Sequence, residues 1–355
     1  MKKVILLLLL LWALTVPAWG TELPREVRDA LPAAAEDITE HMDDSASFSE
    51  GLSLLWERAC GYLTDALRES ISGGVLLLAA AVLCALTEEC MDAAGGKVHF
   101  VPMAGALAVT LAAAGSVRTM MGLGRETVEE LNTFSKALLP TLSAAVAASG
   151  GILSASVRQV ATVFFVDLLI RLIDRVCLPL VYLYIGVVTA AACLPENRLG
   201  ALAEGVKKVV TWLLTGAVLA FTAYLSVVRV ITGSADAVTV KMAKAAISGV
   251  VPVVGGIISD ASETVLAGAG MLKNTIGIFG TLAILAACAY PFLQLGVQYL
   301  LYKLTAFLAG AVGAPGLCKL IDGLGGAFGL ILGMTGSCAL LLLVSVLATV
   351  GAVTP

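Results

Sequence analysis

Beyond residue 70 the chain reads as long apolar runs divided by short polar stretches. Six runs are strong membrane-spanning candidates: Ile71–Leu86, Val101–Val117, Cys177–Leu194, Val209–Val228, Ile276–Leu293 and Ala327–Val350. Four more, Leu138–Ser154, Val160–Ile173, Gly249–Ile258 and Leu295–Val312, are short or interrupted by Pro, Gly or charge, and suit re-entrant or partly buried elements. A spanning helix needs roughly 20 apolar residues. The pattern therefore predicts an all-α polytopic membrane protein of about seven transmembrane helices.

The N-terminal fifth of the pattern is different. Met1-Lys2-Lys3 precedes the apolar run Val4–Leu14 and the small residues Ala18 and Gly20. That order is the pattern of a secretory signal peptide over residues 1–20, with an uncleaved anchor as the competing reading. Residues 21–69 follow as an acidic extracytoplasmic helical segment, and residues 70–355 form the polytopic membrane domain. Within the acidic segment, Ser47-x-x-Glu50 is a capping box. It opens an amphipathic helix with Leu52, Leu55, Trp56, Ala59, Leu63, Ala66 and Leu67 on one stripe. That stripe has three available partners: the membrane surface, another protein, or the rest of this chain.

Composition agrees with the pattern. Apolar residues make up 59% of the 355 and charged ones 14%, against about 25% charged in ordinary globular domains. The net charge of −4 leaves no basic field for nucleic acid. Residues 21–69 carry twelve acidic and four basic side chains, so the excess negative charge sits on the translocated side. His41 and His99 lie too far apart for a metal motif. The eight cysteines contain no C-x-x-C pair, and most sit in apolar runs as small hydrophobes, with a disulfide as the minority reading. Nucleophile-elbow and phosphate-loop patterns are lacking, so the chain reads as neither an enzyme nor a cofactor binder.

One internal echo stands out. Gly150-Gly151-Ile152-Leu153-Ser154 resembles Gly255-Gly256-Ile257-Ile258-Ser259, and each copy follows a proline, Pro140 or Pro252. Each also precedes an apolar stretch with its own proline, Pro179 or Pro291. Paired Pro/Gly-interrupted segments point to two broken helices and an internal repeat of the transporter kind; a chance match in a Gly- and Ala-rich chain is the alternative. Asp260 and Glu263 follow the second break at i, i+3 spacing, fit either to hold a cation or proton or to sit in a solvated loop.

Asp167, Arg171, Asp174 and Arg175 share one face of an otherwise apolar helix. Ionisable groups inside a membrane are costly unless paired or wet. The stripe therefore either lines a conduit or forms the solvated face of an interfacial helix. Residues 234–248 predict a further small amphipathic helix bearing Lys241 and Lys244. Gly325, Gly329 and Gly333 recur every fourth residue, a flat face for close helix approach.

The stretch Gly233-Ser-Ala-Asp-Ala-Val-Thr-Val-Lys-Met-Ala-Lys-Ala-Ala-Ile-Ser-Gly-Val-Val-Pro-Val-Val-Gly-Gly resembles the stage III sporulation protein AE family of endospore-forming bacteria, as does Ala137-Leu-Leu-Pro-Thr-Leu-Ser-Ala-Ala-Val-Ala-Ala-Ser-Gly-Gly. Lys273-Asn274-x-Ile276-Gly277 and Pro291 extend the likeness, which covers roughly residues 125–312. The resemblance implies a multi-pass protein of the mother-cell membrane around the forespore, acting in a multi-subunit channel or secretion-like complex. Its implied partners are the other stage III A proteins, including a secretion-type ATPase and ring-forming subunits, and a forespore-side protein. No catalytic residues come with it. A permease-like transporter of a small solute is the alternative that the paired breaks and Asp260 and Glu263 support.

Overall fold

The structure is a computed structural model that describes residues 25–32, 35, 48–93, 100–193, 198–250 and 255–350. The expected signal peptide, most of the acidic segment up to residue 47, and Pro252 lie outside the described residues. Among the described residues every regular element is helical: α1 (Arg25–Asp29), α2 (Phe48–Ala93), α3 (Phe100–Ala148), α4 (Ile152–Leu172), a π turn (Ile173–Cys177), α5 (Leu178–Cys193), α6 (Arg198–Val250), α7 (Gly255–Ala311) and α8 (Pro315–Val350). Taking α4, the π turn and α5 as one rod, six helices among the described residues are long and apolar enough to cross a membrane.

The ten apolar runs collapse into these six rods because the polar stretches between them do not break helices. Arg118–Lys136 separates two runs by charge, yet its Arg, Met, Leu and Glu residues favour helix, so α3 continues through it. Ile276–Leu293 and Leu295–Val312 fuse into α7, and the amphipathic stretch 234–248 is the end of α6 rather than a separate helix. α2 begins at Phe48, where the capping box places its first turn, and runs unbroken across residues 69 and 70. At 1.5 Å per residue, the 53 residues of α6 and the 57 of α7 reach about 80 Å and 86 Å. A hydrocarbon slab is about 30 Å thick, so both helices extend well beyond it.

α7 and α8 form the central antiparallel hairpin. Some 61% and 56% of their most apolar stretches are buried, against 22–33% in the other spans. Lipid cannot drive helices together hydrophobically, so close packing of small residues must do so. The glycines of α8 supply it. A Cβ at Gly325, Gly329 or Gly336 would press on Tyr302, Tyr299 or Phe292 of α7, and one at Gly323 or Gly326 on Val188 or Tyr184 of α5. The flat glycine face expected from sequence thus serves helices of this same chain, while Gly333 faces Leu214 of α6. Outward, Leu111, Trp212, Val160 and Phe307 are among the large exposed apolar side chains.

Candidate functional site

The first glycine break is a helix-ending motif. The Gly151 amide donates to the Val146 carbonyl (3.0 Å) and the Gly150 amide to that of Ala147 (3.1 Å), with Gly150 at φ 97°. These paired bonds close α3, and the left-handed residue they require is one that glycine adopts without steric cost. Gly151 then caps α4. Pro140, expected to mark the break, instead lies inside α3, which continues past it. With no N–H, Pro140 takes the helical donor from the Lys136 carbonyl; the next carbonyl, that of Ala137, accepts from the Thr141 hydroxyl at 3.0 Å.

At the second break, α6 ends at Val250 and α7 starts at Gly255, so Gly255 and Gly256 are the first two residues of a helix rather than the end of one. Val188–Gly323 and Tyr184–Gly326 run α5, and α4 with it, antiparallel to α8, while Gly105–Leu317 and Gly124–Ile331 run α3 parallel to it. Leu214 meets Gly333, and Phe221 packs on Phe165 a turn from the Thr162–Ser345 bond, so α6 is also parallel to α8. Both helix–glycine–helix units therefore point the same way. Asp260 and Glu263 fall in the opening turns of α7, and their side chains lie outside the described part.

Downstream of the first break, Pro179 leaves its mark. Having no N–H, it cannot bond the preceding turn, and its ring crowds the Arg175 carbonyl. The chain widens there into the π turn, where the Leu178 amide reaches back to Ile173. The end of α4 and that turn carry the charged stripe, Asp167 and Arg171 on the helix and Asp174 and Arg175 in the turn. Arg171 pairs with Asp167 at 2.8 Å, and Asp174 approaches Arg125 of α3 at 3.6 Å; Arg175 is exposed. All four paired side chains keep a large share of their surface open.

Beside them is an open basin of about 590 Å³ between α1 and α3, lined by Asp29, Leu31, Arg125, Glu126, Glu129 and Thr133. Val27, fully buried, helps fasten α1 there. The stripe and the acidic turn of α3 thus share a polar belt partway along the bundle. Sequence reading passed over Glu126, Glu129 and Glu130, although their position between two apolar runs on one helix was visible.

Two further polar groups went unnoticed in the sequence. Arg158, 3% exposed, donates to the Ala348 carbonyl at 2.6 Å and so caps the negative end of α8. Thr162 and Ser345 share a buried hydrogen bond of 2.7 Å one turn along.

Among the described residues, six long apolar helices, two of them a glycine-seated hairpin and four around it, with a charged belt and helices that overreach a bilayer, define a polytopic helical membrane protein. The chain belongs to the family described as Stage III sporulation protein AE, whose sequence profile matches residues 36–353. It is 24% identical over 216 residues to Stage III sporulation protein AE of Bacillus subtilis (strain 168); that match covers 61% of this chain and about half, 54%, of the relative. No solved structure matches the chain. Membership of a stage III sporulation family ties the protein to spore development.

Proposed function

We propose that the chain is the membrane-embedded core of a multi-subunit channel or secretion-like complex linking mother cell and forespore, seated in the mother-cell membrane around the forespore. The observation that carries this reading is the family match across residues 36–353 on a chain whose α6 and α7 extend far past the hydrocarbon. Helix surface outside the bilayer is what a core subunit needs to hold soluble or peripheral partners. In this reading those partners are the other stage III A proteins, a secretion-type ATPase and ring-forming subunits among them, together with a forespore-side protein. The ATPase supplies the energy, and the N-terminal segment stands outside after signal cleavage. Affinity isolation of the tagged chain from detergent-solubilised membranes of sporulating cells tests it. Co-elution of the ATPase and ring subunits is expected, and recovery of the chain alone overturns the proposal.

A second reading, a permease-like transporter of a small solute, draws on the two glycine breaks that run in the same direction and on Asp260 and Glu263 in α7. Solute flux in liposomes holding only this chain would favour it.

A further inference from the structure

α7 carries a polar stripe through the most buried part of the bundle. Gln294, Gln298, Tyr302 and Thr305 are each at most 5% exposed and recur at helical spacing on one face. That face meets α2 and α3. The Gln294 amide nitrogen donates to the Glu69 carboxylate of α2 at 3.2 Å, and the Gln298 amide donates to Ser116 of α3. One turn beyond Ser70, Gly74 lets α2 close onto Leu301 and Thr305, because any Cβ there would strike the Leu301 side chain. Ser70, on the same face as Gly74, therefore meets α7 at the level of Gln294 and Gln298.

Among the described residues, two atoms on this seam are buried and without a partner: the Gln294 carbonyl oxygen and the Ser70 hydroxyl. The bond to Glu69 fixes which end of the Gln294 amide is the oxygen, and flipping the amide would lose that bond. Leaving a buried acceptor unmet forfeits its hydration with nothing in return, and native structures fill such positions. Glu69 supplies a negative charge at the exposed rim, and among the described residues no Lys or Arg pairs with it. A carbonyl, a hydroxyl and a carboxylate are hard oxygen donors. With a single carboxylate, the set suits a monovalent ion rather than a divalent one.

We propose that Gln294, Ser70 and Glu69 bind a monovalent metal cation, sodium or potassium, at the head of the buried polar stripe between α2, α3 and α7. The ion enters past Glu69, replaces part of its hydration shell with the Gln294 and Ser70 oxygens, and ties α2 to the central hairpin. This site is independent of complex assembly, since every donor belongs to one chain.

Equilibrium binding of radiolabelled sodium, and separately of rubidium as the potassium probe, to the purified full-length protein in detergent tests it, with choline chloride holding the ionic strength. Saturable uptake of one of the two ions is expected. Gln294→Met keeps the side-chain volume, Ser70→Ala removes the hydroxyl, and Glu69→Gln changes a rim residue that the fold does not bury. Each should weaken binding roughly tenfold or more, the scale on which oriented ligands and their partners act. Circular dichroism and gel-filtration retention confirm that each variant is folded. Uptake of neither ion by the unaltered protein overturns the proposal, as does unchanged binding in folded variants.

Discussion

Gly326 of α8 lies under Tyr184 of α5 so closely that a methyl group on residue 326 would sit 2.5 Å from the phenolic oxygen. The tyrosine is buried and its ring is rigid, so the added carbon has no flexible neighbour to displace. Gly326→Ala is expected to lower stability by about 1–3 kcal/mol, the usual cost of overpacking. Tyr184→Phe removes the offending oxygen and should restore most of the loss in the double variant. Thermal unfolding of the detergent-solubilised protein checks both. Additive losses in the double variant would mean that the two residues do not touch.

Helix ends offer a second check. Gly313 closes α7 as Gly150 closes α3: the Ala314 amide bonds to Ala309, the Gly313 amide to Gly310, and φ is 97°. A Cβ at Gly313 meets nothing within 4 Å, so only the backbone opposes substitution. Gly313→Val should cost about 1–2 kcal/mol, the penalty of a side chain in the left-handed region. Gly313→Asn should cost less, because asparagine tolerates that conformation. Equal unfolding midpoints for both variants would contradict the motif.

The pairing of α4 with α8 is open to a covalent test. Thr162 and Ser345 are joined by a 2.7 Å hydrogen bond, which places their Cβ atoms near the span of a disulfide. In a background freed of the native cysteines, Thr162→Cys with Ser345→Cys should cross-link on mild oxidation, seen as a linked peptide pair by mass spectrometry. No linkage under conditions that oxidise both thiols would refute this register.

The charged belt separates two environments. Arg125 and Asp174 are 3.6 Å apart with much of their surface open. If the belt faces water, Arg125→Ala changes stability by less than about 1 kcal/mol and the effect fades with salt. In hydrocarbon, stranding Asp174 would cost several kcal/mol instead. Denaturation at low and high salt distinguishes these, and the small, salt-sensitive change is expected.

Much of this architecture was legible in sequence. Apolar runs gave the spans, Ser47-x-x-Glu50 gave the start of α2, and Gly150-Gly151 gave the break between α3 and α4. What stayed hidden were mergers and neighbours. Charge between Val117 and Leu138 divides hydrophobicity without dividing a helix, since Arg, Glu and Lys are good helix formers. Pro140 looked like the break, but a helix interior can absorb a proline, and only the left-handed glycine after it turned the chain. The amphipathic face of α2 resolves in part: Leu55 and Ala66 pack inward, while Leu52, Trp56, Leu63 and Leu67 remain exposed. The stripe Gln294, Gln298, Tyr302 was visible as i, i+4, i+8 spacing. What it faces, Glu69, Ser70 and Ser116, comes from helices whose adjacency no local pattern encodes.

The glycine seats, the cation site and the proposed complex all require that these helices reside in lipid. Washing isolated membranes with alkaline carbonate tests that most directly. The protein is expected to stay in the membrane pellet and to enter solution only with detergent; release into the aqueous wash without detergent would contradict the account.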